Sequence, residues 1–137
     1  MWSAGARLRA PPVPRLRVRA ARPVLLQRAW LLLLLFDGAI RFLGQALRAL
    51  GREDRAGFAA AVGRANGVIG ELAATLDQER GGEVAANLAR LYEFMLRHLT
   101  QGLAGRSRGY LDGVLEVLRT LRAGFEDAIE ATRVRRA

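Results

Sequence analysis

The sequence predicts an all-α protein, an antiparallel up-down four-helix bundle preceded by an irregular Arg/Pro-rich N-terminal arm. The first observation is that the only four prolines lie within the first 23 residues, and proline disrupts helix interiors. The second is that apolar residues beyond them recur at steps of three and four, the period of one helix face. The third is that no segment alternates as a strand does, while the short links suit antiparallel helices.

The apolar stripes and turn signals define the boundaries of the arm, the bundle and its helices. The arm is predicted at residues 1–23 and the bundle at residues 24–137. Within the bundle, the stripes predict helices at about residues 25–50, 54–77, 83–103 and 110–132. The predicted core stripe of the first helix is Leu33, Phe36, Ile40, Leu43, Leu47 and Leu50. Glycine marks two predicted helix ends, at Gly51 and at Gly81-Gly82.

The composition excludes several function classes. A chain of 137 residues suits one domain, and 51% hydrophobic residues argue against overall disorder. The chain has no Cys and one His, His98, so thiolate metal sites, His clusters and Ser-His-Asp triads are not possible. Asp77, Glu79 and Glu83 fall in a predicted turn, where a solvated acidic cluster is common, and His98 is expected to be exposed. We therefore expect no enzyme, no cofactor and no metal.

The charge is concentrated near the N-terminus. The net charge is +9, and seven arginines precede the first acid, Asp37. Such an arm could bind nucleic acid or an anionic membrane surface, although a solvated arm is more common. Because the bundle is nearly neutral and carries no recognised nucleic-acid motif, we expect no nucleic-acid partner. A helical-bundle adaptor acting through the arm is the alternative function.

The start of the chain also has features of a targeting signal. Arg-rich residues 1–28 are followed by the apolar run Ala29–Phe36, as in a secretory signal. This run is well short of the roughly 20 residues that span a bilayer. No small-residue cleavage site follows, and the helical pattern continues to Leu50. The sequence therefore predicts a cytoplasmic protein without stable membrane insertion.

Several helices carry more apolar residues than one core face requires. Such faces more commonly widen the bundle core or form a homodimer seam. The other interpretation is a groove that receives amphipathic segments of a partner. We expect a monomer or a weak homodimer. The candidate groove residues are Leu31, Leu35, Phe42, Val68, Tyr92, Leu96 and Val117.

Three blocks of sequence occur in a fixed order. The first is Phe36-Asp37-Gly38-Ala39-Ile40-Arg41-Phe42-Leu43, after an apolar run from Trp30. The second is Leu76-Asp77-Gln78-Glu79-Arg80-Gly81-Gly82-Glu83-Val84-Ala85-Ala86-Asn87-Leu88. The third is Leu91-Tyr92-Glu93-Phe94-Met95. In this order and spacing the blocks resemble the FliS family, the flagellar export chaperones for flagellin, from about Leu31 to Phe125.

The resemblance implies a fold, a function and partners. It implies a four-helix bundle that acts as a cytoplasmic chaperone, binding the disordered C-terminal segment of flagellin. Binding would prevent premature polymerisation and support flagellar type III secretion. The flagellar export gate is a further partner implied by the family.

The resemblance also implies structural roles for four residues. Asp37 and Gly38 match the Asp-Gly pair of the family, and Gly81 and Gly82 match its turn between the second and third helices. We expect Asp37 to hydrogen-bond a neighbouring helix, because an acid within an apolar helix needs a partner. We expect Gly38 to permit close packing.

Overall fold

The computed structural model describes residue 11 and residues 18–136, with side chains described for residue 11 and residues 29–133. Residues 1–10 and 12–17, most of the predicted arm, lie outside the described residues. The helices are α1 (Val18–Gly51), α2 (Arg55–Ala74), α3 (Gln78–Gly105) and α4 (Arg108–Arg136). No strand occurs in the described part, so the all-α prediction is confirmed.

The four helices form a bundle in which each helix has two main neighbours. Helix α1 packs against α2 and α4, and α3 packs against the same two helices, while α1 and α3 are diagonal with minor contact. Turns of two or three residues join successive helices. Such short turns make sequential helices antiparallel, so the structure agrees with an up-down bundle.

Helix α1 begins earlier than the apolar stripe predicts. The predicted start is near Leu25, yet the helix runs from Val18 and contains Pro23. Proline has no N–H, so one backbone hydrogen bond is missing there. Proline alone therefore does not mark the start of this helix.

The turn between α2 and α3 holds a glycine-dependent kink. Helix α2 ends at Ala74, and Asp77 caps the next turn by accepting a hydrogen bond from the Arg80 N–H at 3.2 Å. Gly82 then adopts φ 56° and ψ −132°, a conformation open mainly to glycine. The uninterrupted part of α3 thus starts at Glu83, where the sequence predicts it.

Helices α1 and α3 both end on a left-handed residue that is not glycine. Glu53 has φ 60°, and the following Asp54 N–H donates to the Ala49 carbonyl at 2.9 Å. Arg106 has φ 47°, and Ser107 N–H donates to the Gly102 carbonyl at 3.0 Å. Both ends match the Schellman pattern. Helix α1 therefore ends at Gly51, as the sequence predicts, and the left-handed residue that follows it is Glu53.

The core centre on α1 differs from its predicted stripe. Phe36 and Leu43 are fully buried, as expected, but Leu33, Ile40, Leu47 and Leu50 are only half-buried. Among the described side chains of α1, the other buried positions are all alanine: Ala29, Ala39, Ala46 and Ala49. Helix α1 makes its most extensive contact with α2, which buries Ala61 and Ala65. Small side chains let helix backbones approach closely. The most deeply buried side of α1 is therefore the side that carries the alanines, and not the middle of the predicted stripe.

Candidate partner-binding surface

Helix α1 presents bulky apolar side chains on both sides of its buried stripe. Leu35 and Phe42, two turns apart, lie on one side, and we call them the Leu35–Phe42 row. Ile40 and Leu47 lie on the other side. All four are half-buried and pack against the core. Apolar surface that a bundle does not bury is available to another molecule.

The other predicted groove residues divide into accessible and buried groups. Val68 on α2 and Leu96 on α3 are half-buried and pack on the core, and Leu31 is 40% exposed. Tyr92 and Val117 lie in the core instead, 2% and 4% exposed. The sequence misplaces these two because helical period shows which residues share a face but not how far neighbouring helices cover that face.

Large exposed apolar side chains cluster in one stretch of α1. Trp30 is 65% exposed, Leu34 is 56% exposed, and Leu31 adjoins them. In the described part of the chain, the only other large apolar side chain of this kind is Leu103 on α3. Isolated exposed apolar residues are ordinary, but a cluster is a candidate contact surface.

Asp37 links α1 to α4, as the sequence predicts. Arg122 on α4 donates from Nε to Asp37 Oδ1, and its Nη2 lies 3.4 Å from Asp37 Oδ2. Its Nη1 donates to Glu126 Oε2 at 2.8 Å. The hydrogen bonds to Asp37 and then to Glu126 raise the pKa of Arg122 above its ordinary value.

This ion pair lies beside an aromatic contact between the same two helices. The ring centroids of Phe36 and Phe125 are 5.3 Å apart. An aromatic pair and a charged hydrogen bond at adjacent positions fix the rotation of α1 against α4. That rotation determines which side chains of α1 face outward.

The family-motif glycines have different surroundings. A Cβ on Gly38 would meet nothing within 4 Å, so the prediction that Gly38 permits close packing within the bundle is wrong. A Cβ on Gly81 would lie 2.5 Å from the Ala85 Cβ, and Gly82 supplies the kink described above. Both glycines thus lie at the start of α3, and their structural role in the family motif stays a prediction.

The polar groups of α3 that could suggest chemistry are part of the packing. Tyr92 is buried, burial raises the pKa of its hydroxyl, and within the described residues no hydrogen bond forms to that hydroxyl. His98 is only 9% exposed, contrary to the predicted exposed position. Its ring lies 4.0 Å from that of Phe94 and 5.2 Å from that of Tyr110, centroid to centroid. His98 belongs to an aromatic cluster between α3 and α4.

The described residues contain no assembled metal site. Among them, no three His, Asp or Glu side chains lie close enough to hold a metal ion. A pocket of about 580 Å³ opens at the end of the bundle where the α1–α2 and α3–α4 turns meet. Its charged lining is mixed, with Glu53 and Asp54 opposite in sign to Arg55 and Arg106.

One described segment, Ala29–Gly51, has the length and mean hydropathy, 1.5, of a membrane-crossing helix. In the bundle this segment supplies Phe36 and Leu43 to the core at 0% exposure. Its one acid, Asp37, is paired with Arg122. The segment therefore serves as the first helix of the bundle.

The fold and this surface define a class of protein, a small helical bundle whose first helix keeps exposed and half-buried apolar side chains. Residues 25–132 match the family model described as flagellar protein FliS. The chain belongs to the FliS family. By family it is a flagellar secretion chaperone and not an enzyme, and the resemblance predicted from the motifs is confirmed.

Curated relatives carry the same family name. The chain is 38% identical over 96 residues to flagellar secretion chaperone FliSB of Pseudomonas aeruginosa, covering 70% of this chain and 76% of that protein. It is 44% identical over 69 residues to flagellar secretion chaperone FliS of Salmonella typhimurium, or 50% and 51% of the two chains. With flagellar secretion chaperone FliS of Vibrio cholerae it shares 34% identity over 65 residues, or 47% and 48%.

Proposed function

We propose that this chain is a cytoplasmic chaperone that binds the disordered C-terminal segment of flagellin. It prevents premature polymerisation and supports flagellar type III secretion. The observation that carries the proposal is the Leu35–Phe42 row, because a half-buried pair two turns apart matches one face of an amphipathic helix. Membership of a family of flagellar secretion chaperones supports the client assignment.

The mechanism is coupled folding and binding. A disordered segment loses conformational entropy when it becomes ordered, and burial of apolar surface must offset that loss. Leu35 and Phe42 already pack on the core, so they lose little further freedom when a client covers them. No bond is made or broken, and the process needs no cofactor or metal.

Three further apolar residues extend the proposed contact. Leu31 continues the α1 surface towards its N-terminal end, while Val68 and Leu96 provide half-buried positions on α2 and α3. Tyr92 and Val117 would support this surface without touching the client, because they belong to the core against which the half-buried residues pack. The flagellar export gate is the second proposed partner, to which the loaded chaperone delivers its client.

Calorimetry of the full chain with a flagellin C-terminal peptide from the same organism tests this proposal. We expect one-to-one binding with a strongly negative heat-capacity change, the mark of apolar burial. We expect Phe42→Ala to weaken binding about tenfold or more, which corresponds to about 1.4 kcal/mol. Leu47→Ala is the matched control, because Leu47 is also half-buried on α1 but lies across the buried stripe.

The control separates a lost contact from a damaged fold. Both variants should keep the helical circular dichroism of the wild type, and only Phe42→Ala should lose affinity. Equal losses in the two variants would contradict the assignment to the Leu35–Phe42 row. Absence of binding by the wild-type chain would contradict the flagellin proposal itself.

A further inference from the structure

Helix α1 has a third side that faces solvent. Trp30, Leu34, Arg41 and Arg48 follow one another at steps of four, seven and seven residues, which places them on one helix face. All four side chains are exposed. We call these four residues the outward face of α1. Its first part is apolar, and its second part is cationic.

The outward face is positively charged, and no acidic side chain of the described residues neutralises its two arginines. Helix α1 contains five arginines and one acid, and that acid, Asp37, is held by Arg122. Among the described residues, neither Arg41 nor Arg48 forms an ion pair. The Arg41 guanidinium lies 5.7 Å from the ring centre of Phe42, a contact that leaves its charge intact.

We propose that the outward face of α1 docks the protein peripherally on an anionic lipid surface. Tryptophan and leucine at the start of the face suit the boundary between headgroups and acyl chains. Arg41 and Arg48 suit lipid phosphates, because a guanidinium donates several hydrogen bonds to one phosphate.

The apolar part of the face is too short for a helix–helix seam. Beyond Leu34 the same side of α1 continues with Gly38, Arg41, Gln45 and Arg48. Among the described side chains of α1, the apolar part of the outward face therefore covers little more than one turn. A partner helix or a second copy would need apolar residues over several turns. A short apolar patch beside cations is the pattern of an interfacial anchor.

Docking of this kind leaves the bundle folded. Phe36 and Leu43 point into the core on the opposite side of α1, fully buried, and a peripheral contact does not move them. The inference also goes beyond flagellin binding, which uses the Leu35–Phe42 row on an adjacent side. The two activities can therefore be measured separately.

Trp30 itself reports on the docking. The chain has two tryptophans, so a Trp2→Phe variant leaves Trp30 as the single tryptophan, which can be excited selectively over tyrosine. We expect its emission to shift to the blue with vesicles of equal parts phosphatidylcholine and phosphatidylglycerol, and to stay unchanged with phosphatidylcholine alone. Added salt should weaken the binding, since the arginine contribution is screened.

Sedimentation with the same vesicles tests the individual residues. We expect Trp30→Gln/Leu34→Gln to reduce partitioning on the order of tenfold, because it removes the inserting groups. Leu103→Gln removes a comparably exposed leucine from α3 and should have little effect. Arg41→Gln/Arg48→Gln should also reduce partitioning about tenfold or more, while the exposed pair Arg64→Gln/Arg119→Gln should reduce it less.

Three results would overturn the proposal. The first is equal binding of the wild type to anionic and zwitterionic vesicles, or to neither. The second is unchanged partitioning of both outward-face variants. The third is a change in the oligomeric state of Trp30→Gln/Leu34→Gln on size-exclusion chromatography, which would make this face a contact between copies. Unchanged affinity of these variants for the flagellin peptide would show that the loss belongs to lipid docking.

Discussion

Helices α1 and α4 use their apolar residues in opposite ways. Among the described side chains of helix α1, residues 29–51, only two large ones are completely buried, Phe36 and Leu43, and the other buried ones are alanines. The leucines at positions 31–35, 47 and 50, together with Ile40, Phe42 and Trp30, are half-buried or exposed. Helix α4 buries seven large apolar side chains, namely Leu111, Val114, Leu115, Val117, Leu118, Leu121 and Phe125.

The difference shows that apolar content alone does not determine burial. Both α1 and α2 bury alanines, and α1 makes its most extensive contact with α2, which indicates that small side chains line the contact between them. The larger residues of α1 then lie beside that contact and not within it. Helix α1 thereby keeps a surplus of apolar surface, which we propose as the surface for the client. Helix α4 mainly contributes side chains to the hydrophobic core.

The largest expected effect is a core truncation on α4. Leu118 is fully buried, so Leu118→Ala should reduce the free energy of unfolding by about 2–5 kcal/mol. Leu47→Ala on α1 removes the same atoms from a half-buried site and should cost clearly less. Chemical denaturation of the two variants measures the difference, and equal losses would show that the two helices do not differ as described.

A larger side chain at a buried alanine of α1 tests how closely α1 and α2 pack. Ala46 is fully buried, so Ala46→Leu should destabilise the protein by about 1–3 kcal/mol through overpacking. Ala59→Leu on the exposed side of α2 is the control and should be nearly neutral. Thermal melts of both proteins give the comparison. A stabilised Ala46→Leu would mean that the alanine contact is loose.

Substitution of two helical glycines tests a contrast in packing. One glycine lies on the open side of α1, and the other lies where α3 approaches α4 closely. A Cβ on Gly102 would lie 2.6 Å from Leu111 Cδ1, so Gly102→Ala should destabilise by about 1–3 kcal/mol. Gly38 has open space, and Gly38→Ala should stabilise by about 0.5–1 kcal/mol, because alanine loses less backbone entropy on folding. Urea denaturation would reveal the opposite signs, and a shared sign would contradict the contrast.

The smallest effect on stability at neutral pH is expected for a substitution of Tyr92, which is buried in the core. Tyr92→Phe should be nearly neutral at pH 7, because its hydroxyl has no hydrogen-bond partner among the described residues. Burial raises the pKa of Tyr92 above its ordinary value of 10.0. The folded state therefore retains the proton more tightly, and its stability declines as pH rises above about 10, the unfolded-state pKa.

The alkaline decline is the measurable signature of that burial. Unfolding curves between neutral and strongly alkaline pH should show a steeper loss of stability in the wild type than in Tyr92→Phe. Identical pH dependence in the two proteins would indicate that water reaches the hydroxyl in solution.

The sequence predicts features that depend on local pattern. Helix period and glycine signals predict four helices and the break at Gly82, because both depend on a few neighbouring residues. The partner of Asp37 is also predictable in kind, since a carboxylate within an apolar helix requires a hydrogen bond. The positions of the family motifs then identify the family.

Features that depend on helix separation are not predictable in this way. The period of α1 shows which residues share a face, but not how closely α2 approaches, so Ile40 and Leu47 are wrongly predicted as core. The same limit places Tyr92 and Val117 in a groove and His98 at the surface. The left-handed conformations of Glu53 and Arg106 are not predictable from the sequence either. Glycine favours that conformation, and a glycine lies close to each of these residues, so the pattern points to the glycine instead.

The most direct test of the central claim is an NMR measurement of contacts between methyl groups of this chain and an isotopically distinct flagellin C-terminal peptide. The central claim is that the surplus apolar surface of α1 receives the client. We predict intermolecular nuclear Overhauser effects to the methyl groups of Leu35, with further ones to Val68 and Leu96, and none to Leu118 in the core. A bound peptide with no contact to the α1 methyl groups would contradict the account.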